Sequence, residues 1–238
     1  CGPQNLRAVI EELLQIAAKP ASRYAREIYG DDHVFAAQRT EAPGKLELPK
    51  GLEPLGPAHN RYLKQRQLDP EKMSQLWGLQ GLGIDAGRLA WRLFIPIVFQ
   101  GRTVSWTTRS TKKTGLRYLT AKPEQESLHH KKVLFGSDYA RHAIIIHEGP
   151  LDALTTGPGG VATLGVIYSR EQFLKMTEYP VRGGCFDNQP DARRRAKALL
   201  NELTRLPGDS YNVVLETGKD SNDADPEEVQ ELRRRFLE

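Results

Sequence analysis

The stretch His142-Ala-Ile-Ile-Ile-His-Glu148-Gly-Pro-Leu-Asp152-Ala-Leu decides how this chain is read. An unbroken apolar run, 143–146, ends abruptly in an acid and a glycine, and the residues that follow suit a helix. Runs of this kind, with helical segments between them, are the pattern of strands buried on both faces of a parallel sheet. The pattern recurs downstream. Val161-Ala-Thr-Leu-Gly165 is a second short run, and Arg182-Gly-Gly-Cys-Phe-Asp187-Asn-Gln189-Pro-Asp191 is a third that also ends in an acid. Ligands of such sheets gather at the carboxyl ends of the strands. Glu148 and Asp187, distant in sequence, are therefore expected to converge there.

Working outward, strands are expected over 142–147, 161–164, 182–187 and 211–216, with helices over 149–156, 169–178, 190–206 and 226–237. This alternation predicts an α/β fold with a parallel sheet and helices on its faces. The fourth strand leads into Gly218-Lys-Asp220-Ser-Asn222-Asp223. An acid directly after a buried strand is costly to place unless something balances it. Any one of these acids alone reads most simply as a helix cap, and Asp152 as a first-turn helix acid. Glu148, Asp187 and Asp220 together would repel one another without a cation. Carboxylates completed by water and phosphate oxygens are what Mg²⁺ takes.

Upstream, residues 5–18 have apolar side chains at helical spacing and Asn5 as a cap, so a helix is expected there. Pro20 stops it, and Ser22 and Gly30 would bound a second, shorter helix. Residues 31–58 read as a linker. Residues 61–68 are helical in pattern, and Asp69-Pro70 is a capping acid followed by proline at the first helical position. Residues 92–98 and 103–109 form an expected hairpin joined by Phe99-Gln-Gly-Arg102, with Arg117-Tyr-Leu119 continuing the strand-rich part. A basic stretch, 128–136, carries His129, His130, Lys131 and Lys132. The expected division is an N-terminal helical segment and linker (1–53), a smaller basic α+β subdomain (54–138) and the parallel-sheet domain (139–238).

The chain has 238 residues, 39% hydrophobic and 27% charged, as in ordinary soluble proteins. No apolar run approaches the ~20 residues of a membrane span, so no membrane partner is expected. Two cysteines, Cys1 and Cys185, cannot form a zinc ribbon or a disulfide framework, and a reducing, cytoplasmic setting is expected. A net charge of +4 suits a polyanion partner as well as a lysine-rich surface. The start at Cys1 rather than Met suggests a fragment.

Glu148-Gly-Pro-Leu-Asp152, followed by Phe186-Asp187-Asn-Gln-Pro-Asp-Ala, resembles the Toprim fold shared by bacterial-type primases, topoisomerases of types IA and II, and some nucleases. The preceding pieces narrow the resemblance: Tyr62–Leu68, Arg92-Leu-Phe-Ile-Pro-Ile with Gly101-Arg102-Thr-Val, Arg109, Arg117-Tyr-Leu119 and Lys132-Val-Leu-Phe-Gly136. In this order they are similar to the basic subdomain that precedes Toprim in bacterial and phage primases.

The resemblance implies template-directed joining of ribonucleoside triphosphates on single-stranded DNA, with Mg²⁺ or Mn²⁺ as cofactor and a replicative helicase as a further partner. It implies Glu148 and Asp187 as catalytic acids, and Glu148, Asp187, Gln189, Asp220 and Asp223 as metal ligands. It also implies that Arg92, Arg102, Arg109, Arg117, Lys131 and Lys132 grip nucleic acid or nucleotide. Tyr62, Trp106 and Tyr118 are available for stacking on bases, although core packing is the plainer role for each. Two departures stand out. The family's Asp-x-Asp reads Asp187-Asn188-Gln189 here, and its last acidic pair reads Asp220 and Asn222. Two rival readings are a Toprim nuclease and a degenerate module that only binds nucleic acid or a replisome partner. The divergent motifs point to a phage or plasmid type.

Overall fold

The computed structural model describes residues 44–112, 116–165, 167–186, 190–218, 220–221 and 223–238, apart from the side chain of Asp191. The chain divides into two compact units, Cys1–Thr40 and Glu41–Glu238. All described residues belong to the second unit, so the helices expected over 5–30 lie outside them.

Two sheets make up this unit. The first is antiparallel, in the order β1 (Leu52–Glu53), β2 (Gln80–Leu82), β3 (Arg92–Phe99), β4 (Arg102–Ser110) and β5 (Tyr118–Thr120). The expected hairpin is β3–β4. Its two turn residues, Gln100 and Gly101, both have positive φ (52° and 72°), the conformation two-residue hairpin turns demand. Asp138 accepts hydrogen bonds from both of their amides, at 3.2 and 2.7 Å.

The stretch read as a linker is partly structured. Leu52 and Glu53 pair with Leu82 and Gly81, and helix α1 (Pro57–Gln65) starts four residues before the expected position 61. Proline supplies the first helical φ there, and the His59 ring accepts from the Gly56 amide. Helix α2 (Pro70–Trp77) begins as expected, with the Asp69 side chain accepting from the amides of Glu71 and Lys72.

The second sheet is parallel, in the order β7 (Gly160–Ala162), β6 (Ala143–His147), β8 (Val181–Gly184) and β9 (Asp209–Asn212). Helices α3 (Pro150–Thr156), α4 (Arg170–Thr177), α5 (Pro190–Leu203) and α6 (Pro226–Phe236) alternate with the strands. Proline opens five of the six described α-helices; the starts of α2, α5 and α6 were readable in advance, whereas Pro57 falls in the stretch read as a linker.

Ile144, Ile145 and Ile146 of β6 are wholly buried. Ile144 and Ile146 pack with Met176 of α4 and Leu199, Leu200 and Leu203 of α5. Ile145 faces the other way, onto Val229 and Leu232 of α6. Helices therefore cover both faces, which explains an unbroken apolar run where a one-sided strand would alternate. The two sheets share a core in which Leu93, Ile95 and Ile97 of β3 meet Leu151, Ala153 and Leu154 of α3.

The fourth strand is displaced from its expected place at 211–216. The ladder to β8 runs from Asp209 to Asn212, and Val213 and Leu215 continue as core packing beyond it. The Val213 amide still donates to the Gly184 carbonyl at 2.9 Å, but the apolarity of Leu215 serves packing beyond the ladder.

Gly160 lets α3 approach β7 closely. A Cβ there would lie 2.5 Å from the Ala153 carbonyl oxygen and 2.8 Å from Thr156 Cβ. Gly160→Ala should destabilise the fold by about 1–3 kcal/mol, seen as a thermal midpoint several degrees lower. An unchanged midpoint would contradict this packing.

Candidate metal and nucleic-acid site

In sequence order the parallel strands run outward in both directions from the β6–β8 pair, so the strand order reverses there. A crevice outside the carboxyl ends of the strands at such a reversal is the usual ligand site of open α/β sheets. Glu148 follows β6 directly, and the register pairing Ile146 with Gly184 and Gly184 with Asn212 brings all three strand ends to the same side.

Glu148 is half-buried, and its carbonyl accepts from the Gly165 amide at 2.9 Å, tying it to the loop after β7. A Cβ at Gly149 would fall 2.9 Å from Asp152 Oδ2 and 3.7 Å from the Tyr118 hydroxyl. The acid turn thus meets a second carboxylate and the β5 edge of the antiparallel sheet. Asp220 is half-buried and accepts the Asp223 amide at 2.9 Å, while Asp223 is exposed. Asp187 and Gln189 lie outside the described residues.

Cys185, on the last residues before that gap, senses the acids around it. Burial pushes its thiol up to about 12, with the charges of Asp152, Asp220 and Glu228 adding to the effect and contact with Ser221 opposing it. Acids from three elements therefore project a negative field on the end of β8. His147, immediately before Glu148, bonds to Thr156 Oγ1 through Nε2 at 2.8 Å. Burial pushes its imidazole down to about 3 against an opposing backbone hydrogen bond with Cys185, so it is neutral at ordinary pH.

The basic residues separate into three groups. Arg109 packs on two tyrosines: its Nε donates to the Tyr62 hydroxyl at 2.8 Å, and its guanidinium lies 4.7 Å from the Tyr118 ring centre. Arg102 and Arg117 are exposed and Lys132 is half-buried. Arg102 begins β4 at the turn and pairs with Phe99, whereas Arg109 pairs with Leu93. Seven residues at ~3.3 Å each put the two at opposite ends of the hairpin, so Arg102 stands apart, whereas Arg92, Arg109 and Arg117 share the end beside β5: Arg109 pairs with Leu93 and Tyr118, and Arg92 Nη2 donates to the Arg117 carbonyl at 2.9 Å.

Arg92 and Lys131 point inward, which corrects their reading as phosphate-gripping groups. Arg92 is buried, with Nε donating to Thr108 Oγ1 at 2.8 Å and Nη2 to the carbonyls of Thr108, Leu116 and Arg117. Lys131 Nζ donates to the carbonyls of Thr163, Leu164 and Ile167 at 2.8–3.0 Å, and burial pushes its ammonium down to about 8. Each is spent on holding a loop. Among the three aromatic candidates, Trp106 is in the core with its indole N–H on the Glu47 carbonyl, Tyr62 packs against the shared core, and Tyr118 lies under Arg109. Packing is their role.

Two features were missed in the sequence. The Tyr62–Arg109–Tyr118–Asp152 group joins residues from three separated segments, and no local pattern marks it. Glu126, His129 and His130 also come together; their close spacing was visible, but the pairing of Glu126 with β4 was not.

No protein-family model matches the sequence, and no curated protein matches it. Solved structures do match in fold. A DnaG primase catalytic domain bound to single-stranded DNA aligns over 78% of this chain and 73% of its own, with TM-score 0.61 and 16% identity. The zinc-binding and RNA polymerase domains of the Aquifex aeolicus primase align over 75% of this chain and 55% of theirs, with TM-score 0.62 and 20% identity. The primase fragment of the bacteriophage T7 primase-helicase aligns over 79% and 78%, with TM-score 0.51 and 20% identity. The chain has the fold of a DnaG-type primase catalytic core, a mixed α/β architecture with one antiparallel and one parallel sheet.

Proposed function

We propose that this chain is the catalytic core of a DNA primase, joining ribonucleoside triphosphates on a single-stranded DNA template. The observation that carries the reading is a primase-type fold whose parallel sheet presents Glu148 directly after β6, at the strand-order reversal. The donors are carboxylates and one amide, hard oxygen ligands of the kind Mg²⁺ and Mn²⁺ take. Glu148, Asp187, Asp220 and Asp223, with the Gln189 amide, would hold it. When bound, the ion supplies charge neutralisation for a triphosphate and its leaving pyrophosphate.

The protein's own groups do the rest. Arg109, held by Tyr62 and Tyr118, would meet the triphosphate. His147 stays neutral and buttresses the strand that presents Glu148. Exposed Arg102 and Arg117 and half-buried Lys132 offer contacts to the template backbone. The neighbours' single-stranded DNA and helicase association make those two partners the natural ones for this chain, at a replication fork in a cytoplasm. No helix among the described residues is long and apolar enough to cross a membrane.

A second reading, a binding module without catalysis, is favoured by one feature: Asn188-Gln189 replaces an acid at the end of the third strand. One preparation separates the readings. With single-stranded templates, ribonucleoside triphosphates and Mg²⁺ or Mn²⁺, a primase makes short ribonucleotide products, a nuclease shortens the template, and a binding module does neither. Template binding gives a further expected result. Arg117→Ala and Lys132→Ala should each reduce the slope of log affinity against log salt by about 0.7, measured by fluorescence anisotropy. Unchanged slopes would return both to plain surface charge.

A further inference from the structure

Glu126 has no part in the site described above. It is a carboxylate 1% exposed, on the loop leading out of the antiparallel sheet. Its Oε1 accepts from Ser105 Oγ of β4 at 2.6 Å and meets His130 Nδ1 at 2.6 Å. Its Oε2 is buried, makes no hydrogen bond, and lies 3.9 Å from His129 Nε2. The two imidazoles stack with centres 4.4 Å apart. One donor atom from each of the three residues falls within 4.8 Å of the others.

We infer that Glu126, His129 and His130 form a second cation site, of the zinc class. Two imidazoles and one carboxylate are a recurrent zinc set, leaving the fourth position to water or a substrate atom. Zinc bonds of ~2.0–2.2 Å put neighbouring donors about 3.4 Å apart, so 3.9 Å between Oε2 and Nε2 needs only a small closure. Nitrogen donors set this site apart from the all-oxygen acids after β6 and β9, which suit Mg²⁺. Ser105 supplies the outer hydrogen bond that orients a ligating carboxylate.

Occupancy changes two contacts. The His130–Glu126 hydrogen bond gives way to two bonds to the ion. Coordination through His129 Nε2 moves that ring's proton to Nδ1, so the 3.2 Å contact from the Lys131 amide is given up. The Lys131 ammonium keeps its three carbonyls on the loop after β7, whose Gly165 amide holds the Glu148 carbonyl. An ion here would therefore fix the segment that anchors the acid turn.

Zinc titration of the chelator-stripped full chain in excess Mg²⁺ tests the inference. One tightly bound equivalent is expected, and substituted Co²⁺ should show the intense visible absorption of a four-coordinate site. The double variant His129→Ala with His130→Ala should lose that equivalent. Glu126→Gln, which preserves the side chain's shape and guards against a misfolded histidine variant, should weaken binding by more than the 10–100-fold typical of losing an outer contact. Absence of zinc binding by the unaltered chain would overturn the inference, as would undiminished binding by Glu126→Gln and the histidine variant. Neither outcome bears on the acids after β6 and β9.

Discussion

Glu148→Gln should cut ribonucleotide joining by about 10³-fold or more while leaving the thermal midpoint nearly unchanged. The substitution keeps the side chain's size and one oxygen, so the half-buried turn between β6 and α3 can still pack. It removes the charge that would hold the ion. Stabilisation of transferring phosphate by a bound metal amounts to several kcal/mol, and each 1.4 kcal/mol is a factor of ten in rate. Binding of single-stranded template should survive, because the exposed basic residues are untouched. The check is initial-rate primer synthesis at saturating Mg²⁺ beside a template-binding isotherm. Activity within a few-fold of the unaltered protein would remove Glu148 from the metal site.

Arg92→Ala should act quite differently, as a lesion of stability. The buried guanidinium bonds to one hydroxyl and three backbone carbonyls, and truncation strands those acceptors where water has little access. Hydrogen bonds from a charged donor are worth about 1.5–3 kcal/mol each, and unsatisfied buried acceptors add their own penalty. A net loss of about 3 kcal/mol or more is expected, lowering the midpoint by roughly 6–12 °C in a chain of this size. Below that temperature template affinity should be nearly unchanged. A stable Arg92→Ala protein with weakened, less salt-sensitive binding would restore the phosphate-contact role.

Arg92 also marks the limit of what the sequence disclosed. The β3–β4 hairpin was legible because two strand-like runs flank Gln100-Gly101, and the parallel sheet was legible because Ile144–Ile146 has helices on both sides to bury it. Prolines announced the starts of α2, α5 and α6, but Pro57 lies in the stretch read as a linker. Strand ends were harder: Val213 and Leu215 have the apolarity of a strand but pack past the end of the ladder. Gln80–Leu82 is too short to carry a period at all.

Side-chain direction was the larger gap. An arginine on a strand and a lysine in a basic run look alike whether they meet phosphate or backbone carbonyls. Only the fold brings Thr108, Leu116 and Arg117 around Arg92, or the loop after β7 around Lys131. The placement of Glu148 was legible from the abrupt end of its apolar run. Tyr118, whose hydroxyl would lie 3.7 Å from a Cβ at Gly149, was not assigned to the acid turn, because that approach crosses between the two sheets.

The central claim is that the acids after β6 and β9 hold the divalent ion of a primase-type centre. Anomalous diffraction from crystals soaked with Mn²⁺ and a ribonucleoside triphosphate tests it most directly. The account predicts a manganese peak at about 2.0–2.3 Å from carboxylate oxygens of Glu148 and Asp220, with the triphosphate bound to the same ion. Triphosphate bound elsewhere, with no manganese at those carboxylates, would contradict it.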